Sequence, residues 1–102
     1  MASEPLILVA RVIANPGHEE AVRQALLRLV ENTRKEKGCL QYDLHRSIED
    51  AANFVFYELW ETEEDLKAHA NSAFMQAHRE RVSGAIAKTV VDRLSLLERA
   101  RG

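Results

Sequence analysis

Three segments of the chain are apolar at consecutive positions, and this limits the available folds more than any other feature. Leu6-Ile7-Leu8-Val9 runs without a polar break, Phe54-Val55-Phe56-Tyr57 does the same, and Val90-Val91 and Leu96-Leu97 add paired apolar positions. Their composition is β-forming, so each reads as part of a strand. Side chains alternate between the two faces along a strand, so an unbroken apolar run wants cover on both faces of its sheet. The 102-residue chain has room for about two helices beside its strands, enough for one face. A second copy, sheet against sheet in a two-fold homodimer, is the simplest cover for the other. The plainer alternative is a monomer with some exposed apolar side chains, which are common.

The intervening segments supply the helices. After the first strand, which runs through Ile13, Asn15 can cap a helix, Pro16 suits its first turn, and Glu19 and Glu20 complement its dipole. Val22, Leu26, Leu29, Val30 and Thr33 recur at three- and four-residue steps, which predicts an amphipathic helix over about 16–36, stopped by Gly38. Cys39 to Ser47 reads as a second strand and Phe54 to Glu61 as a third. Thr62 followed by Asp65 is a helix-start signature. The helix it opens carries Leu66, His69, Ala70, Ala73, Phe74 and Ala77 on one side, with Asn71-Ser72 as a point of interruption. A fourth strand is expected over about 89–97, before a charged tail at 98–102. The order β-α-β-β-α-β predicts an α+β, ferredoxin-like fold with a four-stranded antiparallel sheet. All 102 residues read as one domain with its core at about 6–97.

Composition removes several functional classes. Fourteen Lys and Arg against sixteen Asp and Glu give a net charge of −2, so no basic field points to nucleic acid or an anionic membrane. No apolar run approaches the length of a membrane span. The opening Met1-Ala2-Ser3-Glu4-Pro5 lacks the basic stretch of a secretory signal, and a cytoplasmic location is expected. A lone Cys39 makes no internal disulfide and reads as a buried inert thiol. HExxH, CxxC, GxGxxG and phosphate-loop patterns are all missing, so no metal or nucleotide cofactor is expected.

The chemically unusual position is Glu58. On one face of the third strand it stands with Phe54, Phe56 and Trp60, and a carboxylate among aromatics must find a partner or shift its pKa upward. His69 lies on the apolar side of the following helix, which packs back toward the sheet. Two readings stand for this pair. In one, His69 is a general base in a cavity, oriented by Glu58. In the other, Glu58 pairs structurally with Arg11 or Arg46, and His69 is a satisfied core histidine. Tyr42 and Tyr57 can offer hydroxyls to a ligand or pack at a dimer seam. His45, beside Arg46, can meet an anion or stay partly exposed. His78 is nine positions beyond His69, off the spacing that sets two metal ligands side by side.

Taken in order, Asn15-Pro16-Gly17-His18-Glu19, Gly38-Cys39-Leu40-Gln41-Tyr42-Asp43-Leu44, Glu49-Asp50, Phe54-Val55-Phe56-Tyr57-Glu58-Leu59-Trp60, His69 and Ser72 resemble the antibiotic biosynthesis monooxygenase domain family. The resemblance covers about residues 6–97. It implies a dimeric α/β barrel of ferredoxin-like subunits, and small oxygenases that act with O2 on quinols and phenols without metal, flavin or haem. On that pattern His69 is the base, Glu58 orients it, and Trp60, Phe56, Tyr42 and Phe74 bound the small aromatic substrate. Phe74 stands where many relatives carry a second histidine. A branch of the superfamily degrades haem; there His78 would be the iron ligand, but His69 and Ala10 occupy positions held by a tryptophan and an asparagine. A third expectation is a dimer that binds a small aromatic ligand without turnover.

Overall fold

The computed structural model describes residues 4–100; residues 1–3 and 101–102, parts of the opening segment and of the tail read above, lie outside the described residues. The elements run β1 (Leu6–Ala14), α1 (Glu19–Thr33), β2 (Cys39–Arg46), β3 (Asn53–Trp60), α2 (Glu63–Ala70), α3 (Ala73–Arg81) and β4 (Ile86–Leu94). The strands form one sheet in the order β2-β3-β1-β4, with every neighbouring pair antiparallel. Each strand-helix-strand unit is split by an inserted strand: β3 lies between β1 and β2, and β1 between β3 and β4. This is the ferredoxin-like α+β architecture.

Register explains how the sheet divides its side chains. Opposite partners share a face, so Leu8, Ala10 and Val12 of β1 stand with Glu58, Phe56 and Phe54 of β3 and with Arg93, Val91 and Thr89 of β4. Along β3 burial alternates strictly: Phe54, Phe56, Glu58 and Trp60 are buried, the residues between them only half-buried. Against this face α1 packs Val22, Ala25, Leu26, Leu29, Val30 and Thr33, the stripe its periodicity sets out. Leu26 is 1% exposed, and truncating such a residue to Ala costs about 2–5 kcal/mol. The opposite face presents Ile7 and Val9, then Val55, Tyr57 and Leu59, then Val90 and Leu94, with no element of the described chain across it.

Several local expectations change. Asn15 does not cap α1: its Nδ2 donates to Gly84 O at 2.9 Å, and the helix begins after a turn, at Glu19, with no side-chain cap. The helix ends at Thr33, three residues before the expected stop, because 34–38 fold into a turn-rich connection to β2. The Asn71-Ser72 interruption is a full break. Ser72 caps a new helix by accepting from Met75 N at 3.1 Å. The break resets the helical face, so Ala73 and Ala77 become exposed while His78 and Val82 are buried. β4 starts at Ile86 rather than 89 and ends at Leu94 rather than 97. Its partner decides both ends: Ala14 pairs with Ile86, and β1 runs out one residue beyond the Ile7–Leu94 pair. Leu97 is left 96% exposed.

Candidate active site

Between the inner sheet face and the helices lies a cavity of about 600 Å³, within the range of small-molecule sites. Leu8, Ala10, Val12, Phe56, Leu66 and Met75 make much of its wall apolar. Tyr42, Glu58, His69, His78, Arg79 and Arg93 supply the polar groups.

Thr62 sets up α2 by the expected cap, accepting from Asp65 N at 3.1 Å. His69, two turns along, is thereby turned inward and is 7% exposed. Its ring lies 4.7 Å from the Trp60 ring and 5.6 Å from the Tyr42 ring, centroid to centroid. The hydrogen-bond partner of His69 is not Glu58. Its Nδ1 lies 2.7 Å from Oε1 of Glu36, in the connection after α1. A carboxylate facing Nδ1 accepts from it, so Nδ1 carries a proton, and only in the neutral ring does Nε2 keep a lone pair. Glu36 is itself oriented, its other oxygen accepting from Asn32 Nδ2 at 3.3 Å. Neither its place at the end of the expected helix nor its 33-residue separation from His69 marks Glu36 in the sequence. The only hint is its closeness to Gly38, the point where the connection turns inward.

Glu58 is 5% exposed. It takes neither arginine proposed as a structural partner: Arg11 donates to Asn53 Oδ1 at 3.3 Å, and the Arg46 guanidinium lies 5.2 Å over the Phe54 ring. Oε1 of Glu58 instead accepts from Trp60 Nε1 at 2.9 Å. Burial pushes the Glu58 carboxyl above its ordinary value, opposed by the Trp60 hydrogen bond and by the nearby His69. Tyr42 packs its ring 4.9 Å from Phe56. Burial first, and the Glu58 charge second, push its hydroxyl well above the ordinary range, so it stays protonated as a donor.

The other candidates fall as follows. Phe56 lines the cavity. Trp60, fully buried, backs Glu58 and His69 without being one of the lining side chains. Phe74 packs half-buried against the core, also off the lining. Tyr57 is on the outer sheet face, opposite the cavity. His45 is exposed, its Nδ1 3.2 Å from Val55 O. The Cys39 thiol is pushed up by burial and by Glu36, which suits an unreactive thiol. Among the described residues no cluster of three or more His, Cys, Asp or Glu could hold a metal ion, and no helix is long and apolar enough to cross a membrane. His78 alone lines the cavity as an imidazole without a carboxylate partner.

This arrangement supplies an oriented imidazole, a buried acid whose carboxyl is pushed up by burial and a phenol donor around an apolar space, which is equipment for proton transfer on a bound molecule. Comparison with known proteins agrees with the fold. The profile of the family described as "Antibiotic biosynthesis monooxygenase" matches residues 5–81. The structure of PA3566 from Pseudomonas aeruginosa is 35% identical, covers 96% of this chain and 99% of its own, and superimposes with a TM-score of 0.91. A Mycobacterium tuberculosis protein named "Putative monooxygenase Rv0793" is 28% identical over 88 residues, 86% of each chain, and its structure gives a TM-score of 0.84. The Bacillus subtilis protein named "Putative monooxygenase YcnE" is 31% identical over 71 residues, 70% of this chain and 75% of its own. The chain belongs to the antibiotic biosynthesis monooxygenase family.

Proposed function

We propose that the protein oxygenates a small phenolic or quinol compound in the cavity between sheet and helices, with His69 as base, working as a single-domain cytoplasmic homodimer. One observation carries the reading: Nδ1 of His69, a residue that lines a largely apolar cavity beside a buried acid, is committed to Glu36, so in the neutral ring the acceptor is Nε2. An electron-rich phenol brought there gives its proton to Nε2. The phenolate passes one electron to O2, and the phenoxyl radical and superoxide combine at a ring carbon. The resulting hydroperoxide loses water to leave a quinone. One oxygen atom ends in the product and one in water, and the ring supplies all four electrons that O2 accepts. Tyr42 donates to the phenolate oxygen, and the proton that His69 took, or one from Glu58, whose carboxyl burial pushes up, goes to the departing hydroxide. Phe56 holds the ring in place, while Trp60 and Phe74 act from behind the wall by packing. The same chemistry needs a dry site, and the half-buried outer face of Ile7, Val9, Tyr57 and Leu59 is the surface a second copy would cover.

The test is an oxygen electrode with a panel of hydroquinones. Uptake faster than that of His69→Ala supports the reading, and uptake no faster refutes catalysis. Thermal stabilisation by the same compounds without uptake points to a binding module. A Soret band on addition of haem, lost in His78→Ala, points to haem as occupant.

A further inference from the structure

His78 is the imidazole of the cavity that the proposed reaction leaves unused. It sits on α3, is 5% exposed, and lines the same cavity as His69. Its Nδ1 is sealed in the protein with no partner among the described residues. With Nδ1 enclosed, the part of the ring free to meet the cavity is the far edge, which carries Nε2. A neutral imidazole has one proton to place. On the sealed nitrogen it would be an unmade donor, which buried structure tolerates less well than an unfilled acceptor lone pair. The proton therefore belongs on Nε2, and His78 presents a donor to the cavity.

The surroundings of that donor are positive. Burial and then Arg81, Arg79 and Arg28 hold His78 below its ordinary pKa, so it stays neutral while three guanidinium groups act on the same spot. Arg79 itself lines the cavity, with Nη2 donating to Ala70 O at 2.9 Å and further N–H groups left over. The one carboxylate on the wall, Glu58, is disfavoured as an anion by its burial. A neutral ligand would leave the His78 donor and the positive field unanswered.

We propose that the His78–Arg79 end of the cavity is an anion-accepting subsite, which takes a carboxylate carried on the aromatic ring of the ligand. The substrate class is thereby narrowed from phenols in general to phenolic acids. The inference rests on the reading that the cavity holds an aromatic compound, but not on turnover.

Equilibrium titration of the full chain with 2,5-dihydroxybenzoate, its neutral analogue 2,5-dihydroxybenzamide, and hydroquinone tests it. The acid is expected to bind about tenfold or more tightly than the amide, the scale of one charge-assisted hydrogen bond. That ratio is expected to fall to near one in Arg79→Gln and in His78→Leu. Arg79 is largely exposed, so its variant keeps the test open should the buried His78 variant not fold. In the unaltered protein, the His78 ring followed by NMR should titrate at higher pH once the acid is bound. Equal affinity for acid and amide, a ratio that survives in Arg79→Gln, or no binding of any of the three overturns the subsite. If the acid binds selectively yet no oxygen is consumed, the subsite stands and only the oxygenase reading fails.

Discussion

Replacing Gly38 by alanine tests how the connection after α1 is fitted against α2, and so how Glu36 reaches His69. Gly38 has φ +80°, and a Cβ built there would meet Oδ2, Cγ and Cβ of Asp65 at 2.1, 2.3 and 2.4 Å. A flexible side-chain end could swing clear, but Asp65 is tied at both ends: its N donates to Thr62 Oγ1 at 3.1 Å, and its Oδ2 accepts from the same hydroxyl at 2.9 Å. The left-handed backbone alone costs an L residue about 1–2 kcal/mol. Forcing extra volume into a packed site costs about 1–3 kcal/mol, and loosening the Thr62 cap about 1 kcal/mol. Gly38→Ala is therefore expected to lose about 3–6 kcal/mol in all. Gly84 is the control: its φ is +85°, but nothing lies within 4 Å of the same added atom. Gly84→Ala should lose only the backbone part, about 1–2 kcal/mol. The assay is urea unfolding of both variants at one protein concentration, since association would otherwise shift the midpoints. Equal losses for the two variants would refute the fitted contact. Because Gly38 O accepts from Glu61 N at 2.8 Å and Cys39 N donates to Glu36 O at 3.2 Å, the Gly38 variant should also weaken the Glu36–His69 contact.

Other consequences can be checked separately. Glu36→Gln keeps the shape but removes the carboxylate that holds Nδ1–H of His69, and turnover should fall about 10–100-fold, with kcat affected more than KM; unchanged kcat would remove Glu36 from the machinery. Glu58 has its carboxyl raised in the folded state by burial, so its contribution to stability is present below its ordinary value near 4.5 and is lost as pH rises through the folded value. Glu58→Gln, which can still accept from Trp60, should therefore raise stability at pH 7–8 by about 0.5–2 kcal/mol, with the gain shrinking toward pH 4.5. A gain independent of pH would show that the charge is not its source. Sedimentation equilibrium at micromolar concentration should return twice the 11.6 kDa chain mass, and Val9→Asp on the outer sheet face should return one; a monomeric unaltered chain would contradict the proposed cover.

What the sequence made legible depended on how local its cause was. The shared face of Phe54, Phe56, Glu58 and Trp60, the Thr62 cap and the break at Asn71-Ser72 are written in neighbouring residues, and the structure reproduces each. The limits of β4 are not local, since they follow from the length of β1, and 89–97 was three residues late at both ends. Asn15 is a capping residue by type, but tertiary contact gives its amide to Gly84 O instead. Glu58 and His69 stood out as polar residues on apolar faces. Glu36 could not, because it is an ordinary charged residue near a helix end until Gly38 folds the connection over α2. The nine-residue spacing from His69 marks His78 only as off the step of paired metal ligands; its burial follows from the new helical face that Ser72 starts.

The most direct measurement is the fate of labelled oxygen. The protein is incubated with hydroquinone under ¹⁸O₂, the products are trapped by reductive acetylation, and the hydroxylated quinol is weighed by mass spectrometry. Oxygenation by the His69 route should place one ¹⁸O atom in the trapped product, at a rate that collapses in His69→Ala. Oxidation to quinone with no label in the ring, or labelled product formed equally fast by the variant, would contradict it.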